Sequence, residues 1–254
     1  MIVVTLANNK GGVGKTTSAL NIAAALAVLG KRVLLVDMDP QSSMTIYLGY
    51  DPMQFEKNTY HILTRKAMAV ESIICTSIPG VDLLPASIDL AAAEMEIASF
   101  MSREHLLREQ MEGLERFYDY VVIDNMPSLG ILTINSLMAS DYVIVPIEPT
   151  FLAYKGLEMI NQTIGEVKKY NTKLELFGVI ITMMDLRTNH AKEIIGRIRE
   201  SFPTFSQPIR RSIKFADAAF HGVSILDYAG KEFEGSVAYL SIAREVIARV
   251  DKKG

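Results

Sequence analysis

The chain has 254 residues, 49% of them hydrophobic and 22% charged, with a formal net charge of −3. This mix excludes a disordered chain, and no apolar run reaches the roughly 18 residues of a membrane span. The N-terminus does not read as a secretory leader, and the lone cysteine, Cys75, excludes an internal disulfide or a Cys-rich metal site, which fits a reducing cytosol.

Residues 2–7 form a short β-branched apolar run and read as a buried strand. A glycine-rich turn follows. Residues 16–29, rich in Ala and Leu, read as a helix closed by Gly30, and residues 32–36 as a second strand. Such strand–loop–helix–strand units build parallel sheets covered by helices. Further strands are expected at 81–84, 120–123, 142–147 and 176–182. Helices are expected at 90–114, 133–139, 152–169, 191–201 and 236–250. Residues 47–77 have weak periodicity and are read loosely as helices and connecting loops. No repeat or linker interrupts the pattern. The expectation is a single α/β domain over 1–254, a mostly parallel twisted sheet with helices on both faces. Cys75 is expected to be a small buried hydrophobe, and the four scattered histidines to be surface or capping residues.

The turn after the first strand carries the chemistry. It reads Lys10-Gly11-Gly12-Val13-Gly14-Lys15-Thr16-Thr17. Glycines let the backbone curl with its N–H groups inward, and the helix N-terminus adds its positive dipole end, so the segment is a cradle for phosphate. Lys15 is placed to reach β and γ phosphates, and the Thr16 hydroxyl to ligand Mg²⁺. Asn9 stands where the usual G-x-x-x-x-G-K-[ST] pattern has its first glycine, and Lys10 opens the loop instead.

Two acidic segments end apolar strands. Asp37-Met38-Asp39-Pro40-Gln41 follows the second strand, with carboxylates at i and i+2 where open α/β sheets bind ligands. One can hold a metal-bound water and the other can orient an attacking water. Asp124 ends the strand 120–123 and would bind Mg²⁺ through water.

The early lysine resembles the MinD/ParA branch of P-loop ATPases, and nearly the whole chain is similar to small ParA/Soj-type partitioning ATPases. Asp37 to Gln41 resembles that family's D-x-D-P-Q switch, and Asp124 to Gly130 its D-x-P-P-S-L-G switch, with Met126 in place of the first proline. The resemblance implies an ATP-dependent homodimer in which Lys10 reaches across to the partner's phosphates. It implies Mg²⁺ held through Thr16, Asp39 and Asp124, and hydrolysis by a water that Asp39 positions, aided by Lys10 and Lys15. An N–H of Gly130 is expected free near the γ-phosphate. For the base, the family's contacts map to Met184, Asp185, Pro208 and Ile209. Asp185 could accept from the adenine amino group, or Met184 could stack on the ring.

The charge is uneven, with net −6 over residues 1–180 and +3 over 181–254. A basic surface in the last part would bind double-stranded DNA without sequence preference. The resemblance implies Arg187, Arg211 and Lys214 for that role, and Lys231 and Arg244 share the basic third. A ParB-like activator is the implied protein partner, with a nucleoid-associated cytoplasmic location and hydrolysis that is weak until DNA or the partner stimulates it. The chain opens on the first strand of the fold, so no N-terminal DNA-reading domain is expected. A MinD-like membrane role would need bulky apolar residues in a basic C-terminal tail. The tail has no Phe, Trp or Leu after position 247, so no stable membrane association is expected. Iron-protein relatives hold a cluster with cysteines at the dimer face, which Cys75 alone cannot do.

Overall fold

A computed structural model describes residues 1–184 and 189–252, with side chains of residues 189 and 190 left aside. The strands are β1 (Ile2–Leu6), β2 (Val33–Met38), β3 (Ile74–Cys75), β4 (Val81–Leu84), β5 (Tyr120–Asn125), β6 (Tyr142–Ile147) and β7 (Glu175–Ile181). They form one sheet in the order β3-β4-β2-β5-β1-β6-β7. All neighbours are parallel except β3 and β4. The helices before the last crossover are α1 (Lys15–Val28), α2 (Ser43–Tyr47), α3 (Thr59–Leu63), α4 (Ala69–Ser72), α5 (Leu90–Glu96), α6 (Leu106–Met111) and α7 (Ile131–Ala139). Those after it are α8 (Phe151–Val167), α9 (Asn189–Ser201), α10 (Lys214–Phe220), α11 (Ile225–Ala229) and α12 (Glu234–Asp251).

The central strands are Val, Leu and Ile runs because helices cover both faces and leave no polar side. On one face Leu6, Leu35 and Val122 pack with α1, α10, α11 and α12. On the other, Val3, Val36 and Ile123 pack with α3, α5, α6 and α7. The helices α8 and α9 close the β6–β7 flank through Leu157, Ile160 and Ile198. The Ala-rich face of α1 (Ala19, Ala23, Ala24, Ala25, all buried) lets α12 lie close, and Ser18 Oγ meets the buried Tyr239 hydroxyl at 3.1 Å.

Strand parity now places the acids. Side chains alternate between faces along a strand. Asp37 therefore shares the face of Leu35, and Asp124 that of Val122, both toward α1. Register puts Asp37 opposite Asp124 and Leu6 opposite Asp124. Both carboxylates thus lie at the carboxyl ends of adjacent strands, beneath the start of α1.

The structure departs from the sequence reading in three places. The expected helix at 90–114 is broken into α5 and α6. Ser102, with φ 56°, and Gly113, with φ 86°, take left-handed backbone that a helix cannot hold. Cys75 is exposed, because β3 is a two-residue edge strand beside only β4, and it stands next to Asp82. The helices α10 and α11 have no counterpart in the sequence reading. They are short, and only Ala218, Ile225 and Leu226 give them a buried side.

Candidate nucleotide-binding site

The loop between β1 and α1 is pinned at both ends. Asn8 accepts from the Lys10 N–H at 2.9 Å and donates Nδ2 to the Pro146 carbonyl at 2.7 Å. Thr182, just past β7, donates its hydroxyl to the Val13 carbonyl at 2.9 Å. Gly12 (φ 71°) and Gly14 (φ 82°) are left-handed, a backbone that side chains disfavour. Gly14 is also the N-cap of α1 and offers no side-chain cap, so the N–H groups of the first turn remain available to an anion. Lys15 folds back over the loop, with Nζ 3.2 Å from the Lys10 carbonyl.

Burial sets the electrostatics. Lys15 is 7% exposed, and its ammonium is pulled below the ordinary lysine range chiefly by desolvation, which the Asp124 and Asp39 charges oppose. Asp124 is fully buried, and neither carboxylate oxygen has a hydrogen-bond partner among the described residues. Burial pushes it up to about 8, the Asp37 charge adds to the rise, and the Thr16 hydroxyl and Lys15 ammonium oppose it. Asp37 rises to about 7, again chiefly by burial. Its oxygens, unlike those of Asp124, are satisfied by the Thr45 N–H and hydroxyl and by the Asp39 N–H. Asp37 therefore braces the switch, while Asp124 is the unsatisfied acid. Asp39 accepts from the Gln41 N–H at 2.9 Å and from the Ser43 hydroxyl at 3.1 Å.

Two cavities meet at this loop. One of about 370 Å³ carries charged and polar side chains and is lined by Lys15, Thr16, Asp39, Gln41, Asn125 and Pro127, among others. The second, of about 130 Å³, has Ile209, Phe215 and Tyr239 in its wall. Gly14, Thr17 and Met183 line both. A cavity with charged and hydroxyl groups over a phosphate loop, sharing a wall with an apolar one, suits the phosphates and the base of a nucleotide. The orphaned oxygens of Asp124 beside the Thr16 hydroxyl fit a hard, oxygen-seeking divalent cation.

The sequence candidates fall as follows. Gly11, Gly12, Gly14, Lys15, Thr16, Thr17 and Asp39 line the larger cavity, and Val13 is buried beneath the loop. Lys10 points to Glu148, with Nζ 3.0 Å from Oε2. Ile209 lines the apolar cavity. Met184 packs instead against the β6–β7 core, and the left-handed Met183 (φ 50°) takes the cavity wall. Pro208 is outside that lining, and Asp185 lies outside the described residues. Gly130 does not keep a free N–H. It donates to Ser128 Oγ at 3.0 Å, because the Met126–Ser128 turn brings that hydroxyl back over the loop.

Among the basic candidates, Arg187 lies outside the described residues. Arg211 lines the apolar cavity and stands 3.4 Å from Glu148. Lys214 Nζ sits 4.5 Å from the Phe233 ring centre, two residues after exposed Lys231, while Phe233 and Phe215 meet edge to face. Lys214 therefore sits at the Phe215–Phe233 pair, Arg211 lines the cavity that Phe215 also walls, and Lys231 is exposed two positions before Phe233. Arg244 is exposed farther along α12. Sequence reading missed Asn8, Phe215 and Tyr239 around the loop, and Glu148 as the partner of Lys10. Asn8 had a signal, a polar residue ending an apolar strand; the others lie more than 130 positions from the loop and had none.

Fold and loop together define a P-loop nucleotide-binding protein with a lysine-opened phosphate loop. A family model described as an AAA domain matches residues 1–176. The chain is 40% identical to the sporulation initiation inhibitor protein Soj of Bacillus subtilis over 249 residues, covering 97% of this chain and 98% of that one. It is 39% identical to the chromosome partitioning protein ParA of Caulobacter vibrioides over 252 residues, covering 97% and 94%. Among solved structures it is similar to cobyrinic acid a,c-diamide synthase of Mycobacterium smegmatis with bound ADP and magnesium, at TM-score 0.88 and 33% identity, covering 100% and 97%. The chain belongs to the Soj/ParA family of chromosome-partitioning ATPases.

Proposed function

We propose that this chain is an ATPase of chromosome or plasmid partitioning, acting over residues 1–254 as one P-loop domain. It binds ATP with Mg²⁺, dimerises on ATP, and coats double-stranded DNA without sequence preference. Its hydrolysis is slow alone and is stimulated by DNA and a ParB-like partner. Its place is the nucleoid in the cytoplasm; no helix among the described residues is long and apolar enough to cross a membrane.

One observation carries the reading. A fully buried carboxylate, Asp124, whose oxygens make no close hydrogen bond among the described residues and have only the nearby Thr16 hydroxyl and Lys15 ammonium to oppose burial, lies under a pinned glycine loop. Asp124 and Lys15 each offset the other's charge only in part, and a ligand that brings further charges of opposite sign to both would lower the remaining cost of burial. A phosphate against Lys15 and a cation against Asp124 and Thr16 would do so. Relatives give independent support, because the solved structure named above holds ADP and magnesium.

The chain's residues then divide the work. Lys15 and the N–H groups of Gly12 to Thr17 bind and orient the phosphates. Mg²⁺ supplies positive charge to the β and γ oxygens when bound. Asp39, on a loop braced by Asp37, orients the water that attacks the γ-phosphate. Lys10 of the second protomer adds a cation where charge builds up in the transition state. Catalysis is positioning plus charge neutralisation. Arg211, Lys214 and Lys231 supply phosphate contacts to DNA, doubled in a dimer, with Arg187 and Arg244 as further candidates.

The deciding experiment is binding of a random-sequence duplex with ATP, ADP or no nucleotide, over a salt series. Affinity should appear with ATP alone and fall steeply with salt, since each neutralised phosphate contributes about −0.9 to the log–log slope. Equal affinity in all three states would overturn the reading.

A further inference from the structure

We propose that Glu148 is a latch for Lys10: it parks the cross-dimer lysine in the lone protomer, and joining a second copy exchanges that ion pair for a phosphate contact. This rests on the ATP-dependent dimer proposed above.

The geometry separates what is fixed from what can move. The Lys10 backbone is held on both sides, its N–H by Asn8 Oδ1 and its carbonyl by Lys15 Nζ. Only the flexible side chain is free to swing, and it is 45% exposed. Glu148 is the anchored partner. It follows β6 directly, and the Thr150 N–H donates to its carbonyl at 2.8 Å. The Thr150 side chain then caps α8 by accepting from the Ala153 N–H. The carboxylate is 28% exposed and holds Lys10 at 3.0 Å.

Glu148 has a second cation. Arg211 lies 3.4 Å from its other oxygen. When Lys10 leaves, the half-buried carboxylate keeps one counter-ion and is not stranded, which keeps the exchange low in cost. The latch thus sets how readily two copies join without touching the bound nucleotide of its own protomer.

The test compares wild type with Glu148→Gln, an uncharged side chain of the same shape. Sedimentation velocity with a non-hydrolysable ATP analogue gives the dimerisation constant, and an ADP titration gives the affinity of the single protomer. An ion pair of this exposure is worth about a two- to fivefold change, and each dimer releases two, so Glu148→Gln should dimerise about 4- to 25-fold more tightly. ADP affinity should stay within twofold. In the nucleotide-free protein, acylation of Lys10 by an amine-reactive ester, read by mass spectrometry, should rise in the variant. Unchanged or weaker dimerisation of Glu148→Gln beside a dimerising wild type overturns the latch, as does unchanged Lys10 labelling. A wild type that stays monomeric with the analogue instead removes the dimer reading, and the latch with it.

Discussion

Replacing Asp124 with Asn isolates the charge at the centre of the site. The substitution keeps the shape and removes only the ionisation. Burial raises Asp124 from 3.8 to about 8, roughly four pH units. Its folded value lies above its unfolded one, so the folded protein holds more protons between pH 4 and 8, and stability falls as pH rises through that window. At 1.36 kcal/mol per unit, the loss accumulated by pH 8 is on the order of 5 kcal/mol. Asp37, raised to about 7, adds a loss of the same sign that both proteins share. Urea denaturation of the nucleotide-free proteins in EDTA, at pH 5 and pH 8, reads the difference. Near pH 5 the folded side chains are both neutral but the unfolded aspartate is already ionised, so the Asn variant should lead by only about 1–2 kcal/mol. Near pH 8 the Asn variant should be the more stable by several kcal/mol. A gap of the same size at both pH values would refute the idea that an uncompensated buried charge is responsible.

Three further outcomes test other parts of the site. Lys15→Ala should lose nucleotide binding by at least tenfold in a fluorescent-ATP titration, since its ammonium is the cation folded over the loop; retained wild-type affinity would remove Lys15 from the phosphates. Asp39→Ala should still bind ATP and dimerise, while phosphate release slows by about 10²-fold or more, the range of a positioned general base; turnover at the wild-type rate would exclude Asp39 from water positioning. Lys214→Glu should flatten the salt dependence of DNA binding by about one unit of slope per protomer and leave ATP-dependent dimerisation intact. An unchanged slope would take Lys214 off the DNA face.

What was legible in the sequence was local. The phosphate loop, both acidic strand ends and the parallel crossovers are contiguous patterns whose spacing follows from the strand period and the needs of a phosphate cradle. β4 and β6 fall on the expected residues, β6 as a continuous apolar run and β4 as a short one broken only by the half-buried Asp82. The parity that turns Asp37 and Asp124 toward the same face was also implicit in those runs, once the strands were known to be neighbours. What stayed hidden depends on long-range pairing. Glu148 is an ordinary acid after a strand until β6 is seen beside β1. Met183 rather than Met184 faces the cavity only because Met183 takes a left-handed backbone and so rotates the strand end. Cys75 is hydrophobic by type, and only its place on an edge strand exposes it.

The opposed perturbations of Lys15 and Asp124 also fix how protons should move when ligand binds. With Asp124 pushed up to about 8, most of the molecules carry a proton there at pH 7. A cation held by that carboxylate needs it ionised, so binding of Mg²⁺ with nucleotide expels the proton. A phosphate at Lys15 acts in the reverse sense, because it favours the charged ammonium that burial disfavours. Total proton release therefore mixes two contributions, and the Asp124→Asn variant separates them. Calorimetric titration with MgADP at pH 7, in two buffers of different ionisation enthalpy, measures the protons released. The variant should release fewer per site than wild type, by between about half a proton and one, a difference that shrinks as the pH rises and more of Asp124 is already ionised. An equal release in the two proteins at pH 7 would mean that Asp124 does not change its protonation on binding, and its place at the cation would have to be given up.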